Sequence, residues 1–129
     1  MKPQSAKGKG RRFQKLIRDK MIEAAEDLTS DDIRSTSMGA GGNDILLSTA
    51  GKAVYKWAIE CTAQERVNIW EAYAQAEANS EDGDEPVVFL TRNRQKPLAL
   101  VDAEWLIKQT ARSKNEEVYQ VWCGVSGRR

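Results

Sequence analysis

Carboxylates lead the side chains able to do chemistry, because the sequence contains no histidine. Without imidazole there is no Ser–His triad, no histidine general base and no Cys/His zinc site. No GxxxxGK[ST] loop or GxGxxG turn occurs either. Any reaction must rest on carboxylates, Lys and Arg, hydroxyls or a bound metal. Two acids stand out by spacing. Asp44 and Glu60 are centred beside Gly51, where a hairpin has to turn. A near-symmetric antiparallel hairpin sets them opposite each other, with Cβ atoms about 4.5–5.5 Å apart. Facing carboxylates repel, and one is driven toward protonation unless a cation lies between them. Oxygen-only ligands suit Mg²⁺ or Mn²⁺, which keep several waters and bind substrate phosphate. Such a metal activates water and stabilises charge building on a phosphodiester. The alternative is a pair of exposed hairpin acids, one of them paired with Lys56.

The elements that must position this pair follow from periodicity. From Arg11 to about Leu28, Phe13, Leu16, Ile17, Met21, Ile22, Ala24 and Ala25 recur at helical spacing. Arg34–Asn43 is a Ser/Gly loop. Asp44–Ser48 and Val54–Thr62 read as strands around Thr49–Ala53. By parity Ile45, Leu47, Tyr55, Trp57, Ile59 and Cys61 form an apolar face, opposite Asp44, Leu46, Ser48, Lys56, Ala58, Glu60 and Thr62. Arg66–Ala78 is a second helix with Val67, Ile69, Trp70, Tyr73 and Ala74 largely on one side, so Trp70 and Tyr73 are expected in the core or at a dimer contact. An acidic loop, Asn79–Pro86, leads to strands Val87–Thr91 and Leu98–Val101 about the basic turn Arg92–Pro97. Asp102 caps a third helix from Ala103 to about Lys114, and Val118–Val125 is a candidate edge strand. The order predicts an α/β (α+β) fold, a mixed sheet flanked by helices.

The 129 residues amount to one domain, expected over 11–129 behind a flexible basic arm, 1–10. No apolar run approaches the roughly 20 residues that span a bilayer, so no membrane partner is expected. No apolar segment follows the basic N-terminus, which therefore does not read as a secretory signal. Cys61 and Cys123 read as reduced intracellular thiols, consistent with a cytoplasmic protein, with a disulfide between them the lesser alternative. Net charge is only +1, but basic residues gather in Met1–Lys20 and acids in Glu77–Glu85. Such asymmetry suits an arm that follows phosphates, or simply a solvated tail.

The segments KGRRFQ, RSTSMGAGGNDILLS, AIECTAQERVNIWEAYAQAE and PVVFLTRNRQKPLALVDAEWL, taken in order, resemble phage endonucleases and Holliday junction resolvase-like proteins of the PD-(D/E)XK superfamily. The likeness runs from about Lys9 to Leu106. It implies a restriction-endonuclease-like fold and divalent metal held by Asp44, Glu60 and the Cys61 carbonyl. Gln14 stands where the resolvase-like branch has an acid, and a carboxamide is a far poorer metal ligand. Ser35 and Ser37 match phosphate-contacting serines, and Gln75 matches a glutamine facing the site. As ordinary residues, the serines would make turns and Gln75 would face solvent. The lysine of the ExK motif falls at Thr62, whose hydroxyl cannot supply positive charge to the water or phosphate. Lys56 lies roughly 13 Å along the strand from Glu60, so Arg66 is the better-placed substitute.

The resemblance implies a Mg²⁺- or Mn²⁺-dependent endodeoxyribonuclease acting on branched or four-way-junction DNA. It also implies a homodimer, and the host cell cytoplasm if the chain is phage-encoded. Phosphate contacts are expected from Lys9, Arg11, Arg12, Arg34, Arg92, Arg94 and Lys96, which position DNA without reading bases. Two alternatives stand beside it. One is a DNA-binding module of the same fold that no longer cleaves, given Thr62. The other is a structural or partner-binding domain indifferent to DNA.

Overall fold

The computed structural model describes residues 3–36 and 42–114, with side chains from Gly8 onward in the first helix. It is an α+β arrangement built on a five-stranded mixed sheet. In chain order the elements are α1 (Pro3–Ala24), β1 (Ile33–Ser35), β2 (Ile45–Leu47), α2 (Thr49–Val54), β3 (Trp57–Thr62), α3 (Ile69–Ala78), β4 (Glu85–Leu90) and β5 (Leu98–Leu100). A last helix, α4, covers 103–114. The sheet order is β1-β2-β3-β4-β5. Strands β1, β3 and β4 run in one direction, with β2 and β5 antiparallel to their neighbours.

Helix α1 begins at Pro3 and not at Arg11, so residues 3–10 are helical where a flexible arm was expected. Proline is preorganised for a first helical turn, and the Lys/Gly/Ser composition of that stretch hid the continuation. Along α1, Phe13, Ile17 and Met21 form one buried row. They pack with Ile33, Ile45, Ile59 and Ala63 into the main core. Ile59 is completely buried, consistent with its place on a central strand. On the opposite parity, Ala58 and Val88 are buried as well. The helix on those strands is α3, which contacts both β3 and β4 and carries Ala76 at 1% exposure. A small residue there lets the helix approach the sheet closely.

Three further boundaries differ from the expectations. Strand β1, Ile33–Ser35, takes in Arg34 and Ser35 from the start of the expected Ser/Gly loop and pairs with β2, Ser35 against Ile45. The expected tight turn at Thr49–Ala53 is helix α2. Ser48 caps it by accepting the Gly51 N–H at 3.0 Å, and the Ser48 hydroxyl donates to Asp32 at 2.8 Å. Gly51 is needed there, since a Cβ would lie 2.7 Å from the Asp32 carbonyl oxygen. Helix α3 starts at Ile69, capped by Asn68, and not at Arg66. Its apolar side is not uniformly covered: Trp70 is 79% exposed, contrary to a core placement within this chain. The Asp102 cap of α4 is present, accepting the Trp105 N–H at 2.8 Å. Ser37, Cys123 and the Val118–Val125 segment lie outside the described residues.

Candidate metal centre

The β2–β3 pairing places Ile45 opposite Ile59. Asp44 and Glu60 are the next residues outward on the two strands. At Asp44 the regular ladder gives way. Its N–H donates to the Ile59 carbonyl at 2.9 Å, and its Oδ2 accepts the Cys61 N–H at 2.7 Å. Asp44 thus grips β3 on both sides of Glu60, and its carboxylate takes the place of a backbone acceptor in the seam between the strands. The two carboxyl groups hydrogen-bond to each other. The opposition expected from spacing is present, although a helix and not a turn closes the connection.

Burial governs the electrostatics of the pair. Desolvation raises Asp44 above its ordinary range, against the lowering effect of the Cys61 N–H. Glu60 is pushed up to about 7, first by burial, then by the Asp44 charge and the shared hydrogen bond. The pair therefore holds a proton near neutrality in the absence of a cation. The Cys61 thiol is driven far upward by burial and by both acids, so it stays neutral and unreactive. What Cys61 brings to Asp44 is its backbone N–H. Among the described residues no third Asp, Glu, Cys or His joins the pair.

Glu60 opens into a cleft of about 400 Å³, lined also by Thr62, Gln64, Arg66, Val67, Asn68, Glu71, Ala72 and Gln75. Strand β3 delivers Glu60 and Thr62, and the first turns of α3 deliver Glu71, Ala72 and Gln75. Parallel pairing of β3 with β4 requires a crossover helix, which brings the α3 N-terminus back over the carboxyl end of β3. Open α/β sheets bind ligands at such strand ends. Asn68 and Glu71 cap α3, the Glu71 N–H reaching Asn68 at 3.1 Å. The N-x-x-E spacing is a capping signal legible in the sequence, and with it the lining residues Asn68 and Glu71 could have been found.

The other expected site residues divide. Gln75, Thr62 and Arg66 share the cleft with Glu60. Gln14 is 2% exposed on α1, beside Phe13, and does not line the cleft. Ser35, paired with Ile45, belongs to the face of the main core and also lies outside it, because strand alternation turns it away from Glu60. Arg34 is exposed on β1, and Arg11 and Arg12 are exposed on α1. Lys56 is at the wrong end of the sheet, where its carbonyl accepts the Glu85 N–H.

The basic turn 91–97 follows β4 at the same sheet end as Thr62, whose carbonyl accepts the Thr91 N–H at 3.0 Å. Glu65 ties this turn to the loop after β3 by accepting the Asn93 N–H at 3.1 Å. Arg92 and Lys96 line a second cleft of about 300 Å³ with Gln64, Val67, Leu90 and Leu98. Gln64 and Val67 border both clefts, so the cations adjoin the acid site. No described helix is long and apolar enough to cross a membrane. Comparison with known protein families, with curated proteins and with solved structures finds no match for this chain.

Proposed function

We propose that the chain is a metal-dependent endodeoxyribonuclease of restriction-endonuclease-like fold, resembling Holliday junction resolvases and acting on branched DNA as a homodimer. The observation that carries this reading is the Asp44–Glu60 pair, two carboxyls raised by burial and acting on each other, of which Glu60 lines a polar cleft. All-oxygen donors that hold a shared proton fit a hard divalent cation such as Mg²⁺ or Mn²⁺, which relieves their repulsion by replacing that proton. When bound, such a cation supplies positive charge for the phosphodiester and makes water a better nucleophile.

The chain's own residues set the rest. Asp44 and Glu60 hold the cation, with Asp44 fixed by the Cys61 N–H. Gln75 and the Thr62 hydroxyl, both in the cleft, orient water or phosphate oxygen. Arg66 and the turn with Arg92, Arg94 and Lys96 receive the DNA backbone. Hydrolysis adds water across one P–O bond, leaving a phosphate monoester and a hydroxyl. Two nicks on a symmetric junction need two sites, which a twofold dimer provides.

Thr62 favours a second reading, in which the chain binds junction DNA without cutting it. It occupies the cleft beside Glu60 and offers a hydroxyl where the related enzymes place a cation. Incubation with a four-way junction and Mg²⁺ or Mn²⁺ separates the two. Cleavage that disappears in Asp44→Ala supports the nuclease. Salt-sensitive binding without product supports the module, and a gain of cleavage in Thr62→Lys identifies the missing charge as the cause. Binding indifferent to salt and to junction structure refutes both.

A further inference from the structure

We infer that the second cleft, beside the acid site, holds one unpaired nucleotide of the DNA strand, its base on an apolar floor and its phosphate on Arg92 and Lys96. This deepens the nuclease reading and rests on its DNA half: it names the feature that tells branched DNA from plain duplex. The floor comes from the sheet. Leu90 and Leu98 stand opposite each other across the β4–β5 pair. Leu90 is also the partner of Thr62 on β3, so both leucines lie on the face that carries Glu60. Val67 and Ile69, at the start of α3, form the wall. Leu98 is 54% and Ile69 37% exposed, so among the described residues nothing closes this apolar surface. Phosphate contacts alone need only cations. A nucleobase has two apolar faces to bury and uses such a floor.

The rim supplies charge from a braced turn. The Thr91 hydroxyl donates to the Gln95 carbonyl at 2.9 Å, and the Gln95 N–H donates to the Arg92 carbonyl at 3.1 Å. Glu65 accepts the Asn93 N–H at 3.1 Å, which anchors the turn to the loop after β3. Arg92 and Lys96 line the cleft from this turn and outnumber Glu65, the one acid in the lining, so the cleft favours an anion. Gln64 and Gln95 also line it. Their amides both donate and accept, which suits the polar edge of any base. A ligand that is flat and apolar in one part and anionic in another is a nucleotide, and a space of about 300 Å³ takes one. Gln64 and Val67 border this cleft and the acid cleft alike. The nucleotide therefore lies beside the phosphate that faces Glu60. In a duplex both faces of a base are covered by its neighbours, and extrusion is costly. An unpaired base enters at the least cost.

The test measures binding of the full chain, in Ca²⁺, to labelled duplexes by fluorescence anisotropy. One duplex carries a single-nucleotide bulge, and a second carries the same bulge with an abasic sugar, which keeps the phosphates and removes only the base. Wild type is expected to bind the base-bearing bulge about 10-fold or more tighter than the abasic one. Leu98→Asn, at a half-exposed position, is expected to lose that ratio while keeping its melting temperature. Arg92→Gln is expected to weaken both complexes alike and to flatten their salt dependence. Equal, salt-sensitive binding of the two bulges by wild type overturns the inference alone, whether or not Leu98→Asn folds. So does a folded Leu98→Asn that keeps the ratio. If wild type binds neither duplex, or binds them indifferently to salt, the nuclease reading falls with it.

Discussion

The substitution Glu60→Gln isolates the electrostatic strain of the acid pair. In the folded chain Glu60 titrates at about 7, against an ordinary 4.5. A carboxyl raised in this way binds a proton in the folded state that the unfolded state has already released. Stability is therefore fully present below about pH 4.5, falls as pH rises, and reaches its lower plateau above about 7. At 1.36 kcal/mol per pH unit the loss is at most about 3 kcal/mol. Water in the open cleft reduces it, so about 1–3 kcal/mol is expected. Glutamine keeps the shape and a hydrogen bond to Asp44 but has no charge to lose. Urea unfolding of both proteins at pH 4.5, 6 and 7.5 gives the difference curve, in which other carboxylates cancel. Wild type should decline relative to Glu60→Gln across that window, and millimolar Mn²⁺ at pH 7.5 should restore wild type only. Parallel curves for the two proteins, without a Mn²⁺ effect, would refute the argument that burial and Asp44 raise Glu60 and prepare it for a cation.

Other consequences are equally direct. Gly51→Ala forces a Cβ to within 2.7 Å of the Asp32 carbonyl and should cost about 1–3 kcal/mol in urea unfolding. Ser48→Ala removes the α2 cap and the Asp32 bond, lowering stability by about 1 kcal/mol. Ile59→Ala opens a cavity in the completely buried centre of β3 and should cost about 2–5 kcal/mol. Trp70→Ser, by contrast, should alter monomer stability by less than about 0.5 kcal/mol, because the indole is largely exposed. Differential scanning calorimetry of dilute protein checks that last value.

Local signals carried much of the fold. The apolar row Phe13, Ile17 and Met21 announces the buried side of α1, because helical period and burial share one geometry. Alternation in Trp57–Thr62 separates Ile59 from Glu60 for the same reason at period two. Asp102 declares its helix through the capping chemistry of its side chain. Even the meeting of Asp44 with Glu60 was accessible, since antiparallel pairing about Gly51 depends only on their distances from one point in the chain. Signals failed where composition competed with context. Gly8 and Gly10 concealed the first turns of α1, Ser/Gly content concealed β1, and α2 was mistaken for a turn.

Spacing determined which acids could meet. It did not determine what meeting would do to them. The rise of Glu60 to about 7 comes from burial, and burial depends on α1, α3 and β4 arriving from distant parts of the chain. The same holds for the neighbours in the cleft. Gln75 and Arg66 share the cleft with Glu60 because parallel pairing of β3 and β4 obliges α3 to cross back over the strand end, and Gln14 and Ser35 fall outside it because their elements belong to the other layer. Periodicity is a property of a segment, and so a sequence displays it. Desolvation and convergence are properties of the assembled layers, and only the tertiary structure decides them.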